Sequence, residues 1–458
     1  MVTAVVEDRH PLSQVLVRKG WTAEDYLRRV ADQHRALGYG QLCYRREKLS
    51  RWTRTVRPQV PNECTQLAMA AVLGISASEV RVRAWPQWLL LGMRDDDAVW
   101  ESPWTPAGTI HALDDPEGAL VDRRGFLATG AGTVSAVIAQ WASAAPAPAR
   151  TTGGGQQIGT AVADRLDSRL DDLRHLDDEL GADHVYDAAL AEKRLITRLL
   201  RDHTYTPATE RRLYSSAAEA SRLAGWCAYD LGDVVVAERH FVAALRAAAS
   251  ADDYTTGAII AAFWANARYG STTPDPRSAL HLIDTALRHR SRITSPRALA
   301  LLHIRRARAH SLAGESADAY RAIDDAMTAY IDGVPAGDEL PSVYWVNAGE
   351  IHQAAASAAL SLHDPAKALY HFRAATTDHD AHGVEQEARG AAIYLFRQSS
   401  AHLELGEPDA AVETAEHAVD LIGGVSSARA TNTLAELRAD LARHRRTPVV
   451  RDFLDKTA

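Results

Sequence analysis

The sequence predicts an all-α fold, and three observations support this class. Ala, Leu and Arg dominate the composition, whereas 18 prolines and 28 glycines are few for a chain of 458 residues that would be built from many turns. Apolar residues recur at the three- and four-residue spacing of amphipathic helices. From residue 206 onwards, a turn position and a pair of alanines return at intervals of 40 to 49 residues, which indicates stacked helix pairs.

The composition and the charge narrow the class of protein further. Hydrophobic residues make up 46% of the chain and charged residues 24%, which excludes disorder as the overall state. The net charge of −8 is unevenly spread: residues 9–57 hold 12 Lys or Arg against 4 Asp or Glu, so this segment carries +8 and the remainder −16. A basic segment on an acidic body suggests that one part meets a polyanion.

The cysteines and the chain start predict a cytoplasmic protein. Cys43, Cys64 and Cys227 are an odd number at wide spacing, so they form neither a disulfide framework nor a CxxC pair. The first residues lack the charged-then-apolar order of an export signal.

Residues 10–93 are predicted to form a small helical domain. Capping boxes at Thr22–Asp25 and Ser76–Glu79 indicate two helix starts. Leu49 and Trp52, three residues apart, would face the core while the cations between them point elsewhere. Three of the predicted helices have both ends marked: Pro11–Lys19, Tyr44–Trp52 and Asn62–Leu73. Two more are predicted to begin at Thr22 and at Ser76.

This pattern resembles the helix-turn-helix domain of the lambda-repressor-like (Xre-type) regulators, in a variant common in actinobacterial proteins. The resemblance rests on Gly20-Trp21-Thr22, Ser50-Arg51-Trp52, the Arg57-Pro58 turn and Leu67–Gly74. It implies binding to double-stranded DNA through the third helix. The expected contacts are Arg46 and Lys48 with bases, Arg45, Arg51 and Arg54 with phosphates, and Thr22 with a phosphate at the N-terminus of the second helix.

Two alternatives to DNA binding stay open. The cations could form the solvated face of an Arg-rich helix. Thr55 also stands where the family usually has glycine, and the connection over Arg35–Cys43 is longer than in compact repressors. The second hypothesis is therefore an interaction scaffold that binds no DNA because its helix-turn-helix is degenerate.

Residues 94–158 are predicted to be a linker with an Ala/Gly-rich apolar helix. Arg123-Arg124-x-Phe126-Leu127 before an uncharged stretch is close to a twin-arginine export signal. Its position far inside the chain favours a buried or interdomain helix over membrane contact or export, and the membrane is an unlikely partner. Thr151–Gly155 is the predicted boundary.

The remaining two-thirds are predicted to be helical throughout. Residues 159–205 form a lead-in with Leu166, Leu170, Leu173 and Leu180 on one stripe, residues 206–425 form the repeats, and residues 426–458 form a C-terminal helix. The turn positions are Gly232, Pro274, Gly314, His363 and Gly406; the alanine pairs are Ala237/Ala244, Ala279/Ala286, Ala319/Ala326, Ala368/Ala375 and Ala411/Ala418.

The turn and the alanine spacing resemble tetratricopeptide repeats, with units longer than usual. The resemblance implies a right-handed α-solenoid whose concave surface binds an extended peptide or a partner's helix. Asn266, Arg305 and Asn347 fall on predicted first helices and are candidates for peptide contact, although they could equally be solvated or capping residues.

The sequence offers no positive sign of enzyme chemistry or of a cofactor. It lacks the phosphate-binding, dinucleotide-binding, zinc-protease and serine-hydrolase motifs. His379, His382 and Glu385 have metal-like spacing, but solvated surface histidines explain them better, so no metal is expected. The leading hypothesis is a cytoplasmic, homodimeric transcription regulator whose repeats sense a peptide or a protein.

Overall fold

The computed structural model confirms the all-α class. It describes residues 10–18, 21–43, 46–54, 59–73, 75, 80–81, 84–89, 99–100, 102–114, 130–144, 157–333, 339–377, 388–423 and 427–457. Nearly all of these residues are helical. The exception with strand geometry among them is a pair of two-residue parallel strands, β1 (Gln157–Ile158) and β2 (Thr204–Tyr205).

The chain divides into two compact units. The first comprises Met1–Asp97 with Gly118–Leu127, and the second comprises Ala98–Glu117 with Ala128–Ala458. The described helices of the first unit are α1 (Pro11–Arg18), α2 (Ala23–Ala36), α3 (Arg46–Trp52) and α4 (Glu63–Val72).

The core of the first unit forms on one face each of α2 and α3, and Trp52 faces it as the sequence predicts. Tyr26, Leu27 and Val30 of α2 are at most 1% exposed, and Trp52 of α3 is buried beside them. The buried Trp88 donates its indole N–H to Oε1 of Gln66 at 2.9 Å, which satisfies the one polar atom of a ring packed in this core.

A glycine turn ends α2. Gly38 has a φ of +78°, and the N–H groups of Gly38 and Tyr39 donate to the carbonyls of Arg35 and His34. This is a Schellman turn, which needs a residue in the left-handed region after the last helical residue.

The second unit begins with two short helices from the predicted linker, α5 (Pro106–Leu113) and α6 (Ala131–Ser143). Val134, Ile138 and Trp141 of α6 are at most 3% exposed and belong to the main core of the unit. The described part of residues 94–158 is therefore an integral part of this unit and not a connection between two domains. The predicted segment Arg123–Leu127 lies outside the described residues.

A close approach fixes α6 to the following repeats. Trp141 stacks on Tyr254, with ring centroids 4.5 Å apart. A Cβ at Gly257 would come within 2.4 Å of the Trp141 ring, so only glycine allows this contact.

A buried arginine holds the segment before α5. The guanidinium of Arg246 donates to the carbonyls of Val99, Trp100 and Ser102 at 2.8, 2.9 and 2.5 Å. Burial without a carboxylate partner lowers the pKa of Arg246 to about 10. This cation therefore anchors the start of the second unit through neutral acceptors.

The lead-in consists of two helices, α7 (Thr160–Leu180) and α8 (Ala182–Asp202), which are separated at Gly181 with a φ of +92°. The predicted leucine stripe is only partly buried: Leu166 and Leu170 are buried, whereas Leu180 is 48% exposed.

Five helix pairs follow, each made of a first and a second helix. They are α9 (Pro207–Asp230) with α10 (Val234–Ala251), α11 (Tyr254–Tyr269) with α12 (Pro276–Leu287), α13 (Pro296–Leu312) with α14 (Ser316–Ile331), α15 (Ala348–Ser361) with α16 (Pro365–Thr377), and α17 (Ala388–Glu404) with α18 (Pro408–Ile422). Short 3-10 turns lie at Arg290–Arg292 and Pro341–Val343.

The turns inside the pairs use one geometry. Gly232, Gly314, His363 and Gly406 have φ values of +88°, +75°, +59° and +78°, and each turn has the hydrogen bonds of a Schellman motif. Pro274, the fifth predicted turn position, cannot adopt a positive φ, and its pair has a longer connection. The predicted turn positions therefore form the same Schellman turn in four of the five pairs.

The paired alanines pack the second helices closely onto the first. All are fully buried except Ala375, which is half-buried. Side chains of this size let helices approach closely, so stacked pairs share one core.

The C-terminal residues form two helices instead of the predicted one. α19 (Ala428–Leu441) passes through a 3-10 turn at Ala442–His444, and α20 (Pro448–Lys456) follows. Pro448 occupies the first turn of α20, where its missing N–H is harmless, and the preceding helix has already ended.

Candidate functional site

The third helix of the first unit and the residues just after it carry cations beside a buried tryptophan. Arg51 and Arg54 are exposed and Lys48 is half-buried, whereas Trp52 is 5% exposed. Arg46 begins α3. Arg45, Thr55 and the Arg57-Pro58 turn lie outside the described residues.

Thr22 caps α2 as predicted. Its Oγ1 accepts from the N–H of Asp25 at 3.1 Å and donates to Oδ2 of Asp25 at 2.6 Å. The bond from the Thr22 hydroxyl holds the pKa of Asp25 below its usual range. Glu24 and Asp25 therefore place negative charge at this helix N-terminus, and they oppose the phosphate contact predicted for Thr22.

A large cavity lies on the inner side of the helix pairs of the second unit. Its volume is about 940 Å³, part of it open to solvent. Every first helix of the five pairs contributes to the lining, together with α7, α19 and the segment around Trp345. The second helices are absent from the lining, so the first helices face the cavity.

The helix α7 closes one side of the cavity through a buried charge network. The guanidinium of Arg389 on α17 lies 3.0 Å from Asp177 of α7 and 3.2 Å from Asp230 of α9. All three side chains are at most 4% exposed. Asp230 also accepts from the hydroxyl of Ser427 at 2.9 Å. This network joins residues 212 positions apart in the chain.

A second contact joins α7 to the segment before α15. The ring of His175 lies 4.7 Å from that of Tyr344, and the Tyr344 hydroxyl donates to Asp178. The half of α7 that follows Leu170 thus lies against three other elements of the cavity wall.

Aromatic rings form much of the remaining wall. Phe263 meets Trp226 edge to face with centroids 5.1 Å apart, and it meets Trp345 in the same way at 6.2 Å. Arginines stack on these rings: Arg222 lies 4.4 Å from the Phe263 centroid and Arg429 lies 4.6 Å from that of Trp226.

The lining is rich in arginine at its centre. Arg308 donates to the carbonyl of Ser357 at 2.6 Å and to the hydroxyl of Ser361 at 3.1 Å. Burial, together with the nearby charge of Arg397, lowers the pKa of Arg308 to about 10. Burial also raises the pKa of Glu350, whose carboxylate accepts from the Tyr394 hydroxyl at 2.8 Å.

The structure separates the three predicted peptide-contact residues. Asn266 and Arg305 line the cavity, and each is 8% exposed. Asn347 lies before the first helix α15 and not on it: its side chain accepts from the N–H of Glu350 at 2.8 Å and caps α15. The capping alternative therefore describes Asn347.

Sequence reasoning missed the arginines and the carboxylates that α7 and α17 bring to the cavity. A signal was present in α7, where the buried positions Ala163, Leu166 and Leu170 continue at the same spacing into Arg174 and Asp177. Charged residues that continue an apolar stripe indicate a buried polar contact.

The described residues contain neither a candidate metal cluster nor a candidate membrane span. In the described part of the chain, no group of three or more His, Cys, Asp or Glu side chains could hold a metal ion. His379, His382 and Glu385 lie outside that part. Of the helices that the structure describes, none has both the length and the apolar character needed to cross a bilayer.

Comparison of the chain with protein-family models, with curated proteins and with solved structures finds no match to any of them.

Proposed function

We propose that this protein is a DNA-binding transcription regulator with a ligand-binding repeat unit. The first unit binds double-stranded DNA through α3, and the cavity of the second unit binds a peptide or a protein segment. The observation that carries the DNA half is that Trp52 of α3 is buried, whereas Arg51 of α3 and Arg54, two residues after its end, are exposed. A homodimer completes the proposal, because one small helix-turn-helix domain rarely binds tightly alone.

The charge distribution supports the assignment of DNA to the first unit. Residues 9–57 carry +8 while the rest of the chain carries −16, so the net charge of the first segment favours contact with a polyanion. The tetratricopeptide resemblance and the cavity lined by first helices support ligand binding by the second unit.

The test is DNA binding by the full-length protein across a salt series. Fluorescence anisotropy against a pool of genomic fragments would give the affinity and its salt slope, and sequencing of the bound fragments would give the operator. Phosphate contacts release counterions, so Arg51→Gln and Arg54→Gln should each weaken binding and reduce the salt slope by about 1.

The matched control is Arg35→Gln, which removes one exposed cation of the same unit that pairs with Asp32 on α2. It changes the net charge equally and should leave the slope close to that of the parent protein. If the three variants behave alike, general charge and not α3 explains the binding. Sedimentation of the same samples would test the homodimer.

The connection between α2 and α3 favours the second candidate, an interaction scaffold that binds no DNA. α2 ends at Ala36 and α3 begins at Arg46, a wider separation than compact repressors have. No binding to any fragment at low salt, with or without a cell extract as a ligand source, would reject the regulator and support the scaffold.

A further inference from the structure

The arginines of the cavity fall into two groups. Among its lining residues, seven arginines face three carboxylates. Four of the arginines have acidic partners, which are Arg174 and Arg222 with Glu219, and Arg389 and Arg429 with Asp230. The other three are Arg305, Arg308 and Arg397, and they form no ion pair with any residue that the structure describes.

Two members of this group are deeply buried. Arg305 and Arg308 are each 8% exposed. Arg308 is held by neutral oxygens only. Nε of Arg305 has no hydrogen-bond partner within the described residues, although the nearby carboxylate of Glu350 favours the charge of this guanidinium. A buried charge without a counter-charge costs several kcal/mol in general, so the surroundings of Arg308 are stabilised when an anion enters the cavity.

Another buried arginine of the same unit, Arg246, differs from Arg305 and Arg308 in its surroundings. The guanidinium of Arg246 is also buried without a carboxylate, but it donates to backbone carbonyls and is not part of the cavity lining. Arg305 and Arg308 instead line an open cavity.

The local charge indicates which anion is preferred. Three guanidinium groups and the carboxylate of Glu350 leave two positive charges. A phosphate monoester carries close to two negative charges at neutral pH and would balance them, whereas a single carboxylate would leave one positive charge. Phosphate also accepts the several parallel N–H bonds that arginine offers.

The size and the walls of the cavity indicate what accompanies the phosphate. The cavity is lined by first helices, and α7 closes one side of it, which limits the length of any ligand. Trp226, Phe263 and Trp345 offer apolar surface beside the arginines.

We propose that the cavity binds a small phosphate monoester with a planar or apolar body. Arg305, Arg308 and Arg397 bind the phosphate, and Trp226, Phe263 and Trp345 contact the body. This proposal rests on the proposed function, since it takes the cavity as the ligand site of the repeat unit, and it names a small anion as that ligand in place of a peptide or a protein segment.

The test is calorimetric titration of the full-length protein with inorganic phosphate, with each of four nucleoside monophosphates, and with N-acetyltryptophan as a carboxylate of similar size. At least one monophosphate should bind, and more tightly than inorganic phosphate and N-acetyltryptophan. Arg308→Met and Arg397→Met should each weaken this binding at least tenfold. Arg321→Met removes an exposed arginine of α14 that pairs with Asp318, and it should leave the affinity unchanged.

Several outcomes would overturn the proposal. One is the absence of binding by every phosphate probe at millimolar concentration. Another is equal affinity for the monophosphate in Arg308→Met, Arg397→Met and Arg321→Met. Tighter binding of N-acetyltryptophan than of any monophosphate would replace the phosphate with a carboxylate. Circular dichroism checks that the variants fold, and Arg308→Lys, which keeps the charge, should retain more affinity than Arg308→Met.

DNA binding of the same samples separates this proposal from the proposed function. Monophosphate binding without any DNA binding would leave the cavity assignment standing and reject the regulator. DNA binding without monophosphate binding would leave the regulator standing and reject the cavity assignment.

Discussion

Arginine occupies opposite environments in the two units. In the first unit, Arg51 at the end of α3 and Arg54 just after it are exposed, while Trp52 packs with its apolar neighbours in the core. In the second unit, Arg305 and Arg308 are buried among first helices and line a cavity. An exposed cation attracts any nearby polyanion at long range and is screened by salt. A buried cation instead discriminates, because it is stabilised only by a ligand that brings charge to that position.

The largest expected effect tests whether buried arginines with and without a carboxylate partner differ in their contribution to stability. Arg389→Met should lower the free energy of unfolding of the second unit by about 3 to 5 kcal/mol, because Asp177 and Asp230 would stay buried without their cation. Arg308→Met should change it by only about 1 kcal/mol, since the lost hydrogen bonds are offset by the removal of an unpaired charge. Urea unfolding followed by circular dichroism measures both.

Equal losses in these two variants would contradict the division of the cavity arginines into paired and unpaired groups. Arg321→Met, at an exposed position, sets the background and should lie within about 0.5 kcal/mol of the parent protein.

An intermediate effect concerns the pH dependence of anion binding. Burial raises the pKa of Glu350 above its usual value, so this carboxylate becomes neutral at a higher pH than an exposed one. Its protonation removes a negative charge beside Arg305, and the affinity for sulfate should therefore rise as the pH falls through that pKa. Sulfate keeps its own charge over this range. The gain should be at most about tenfold, the equivalent of one pKa unit.

The variant Glu350→Gln tests whether the protonation of Glu350 causes the pH dependence of sulfate binding. The glutamine amide oxygen can still accept from the Tyr394 hydroxyl, but it does not titrate. The affinity of this variant for sulfate should be flat over the same pH range, and a slope equal to that of the parent protein would assign the effect to another group.

The smallest expected effect concerns the turn that both units share. Gly38 in the first unit and Gly406 in the second have a positive φ, whereas His363 adopts the same conformation at +59° with a side chain. His363→Gly should stabilise the second unit by about 0.5 kcal/mol, and Gly406→Ala should destabilise it by about 1 kcal/mol. Thermal unfolding measures both, and a loss of stability in His363→Gly would mean that the histidine side chain makes a compensating contact.

Local signals explain what the sequence predicts well. The turns at Gly232, Gly314 and Gly406 depend on a few neighbouring residues, and alanine burial follows from their spacing within one helix. The buried face of α2 and the cap at Thr22 are local in the same sense.

The cavity could not be predicted in this way. Arg389 meets Asp177 and Asp230 across helices that are far apart in sequence, so no spacing pattern connects them. The sequence predicts a linker with a buried or interdomain apolar helix at residues 94–158, but it does not show where that helix packs: the contact of α6 with the repeats depends on the space that Gly257 leaves for Trp141.

The anchoring of Val99–Ser102 by Arg246 has a practical consequence for dissecting this chain. A recombinant fragment that starts at residue 159, where the sequence alone would place a boundary, would remove the carbonyl acceptors of Arg246 and expose the surface that α6 covers. Such a fragment is expected to aggregate on expression, whereas one that starts near residue 98 keeps both features. The cloning boundary for the repeat unit therefore lies about 60 residues upstream of the first long helix.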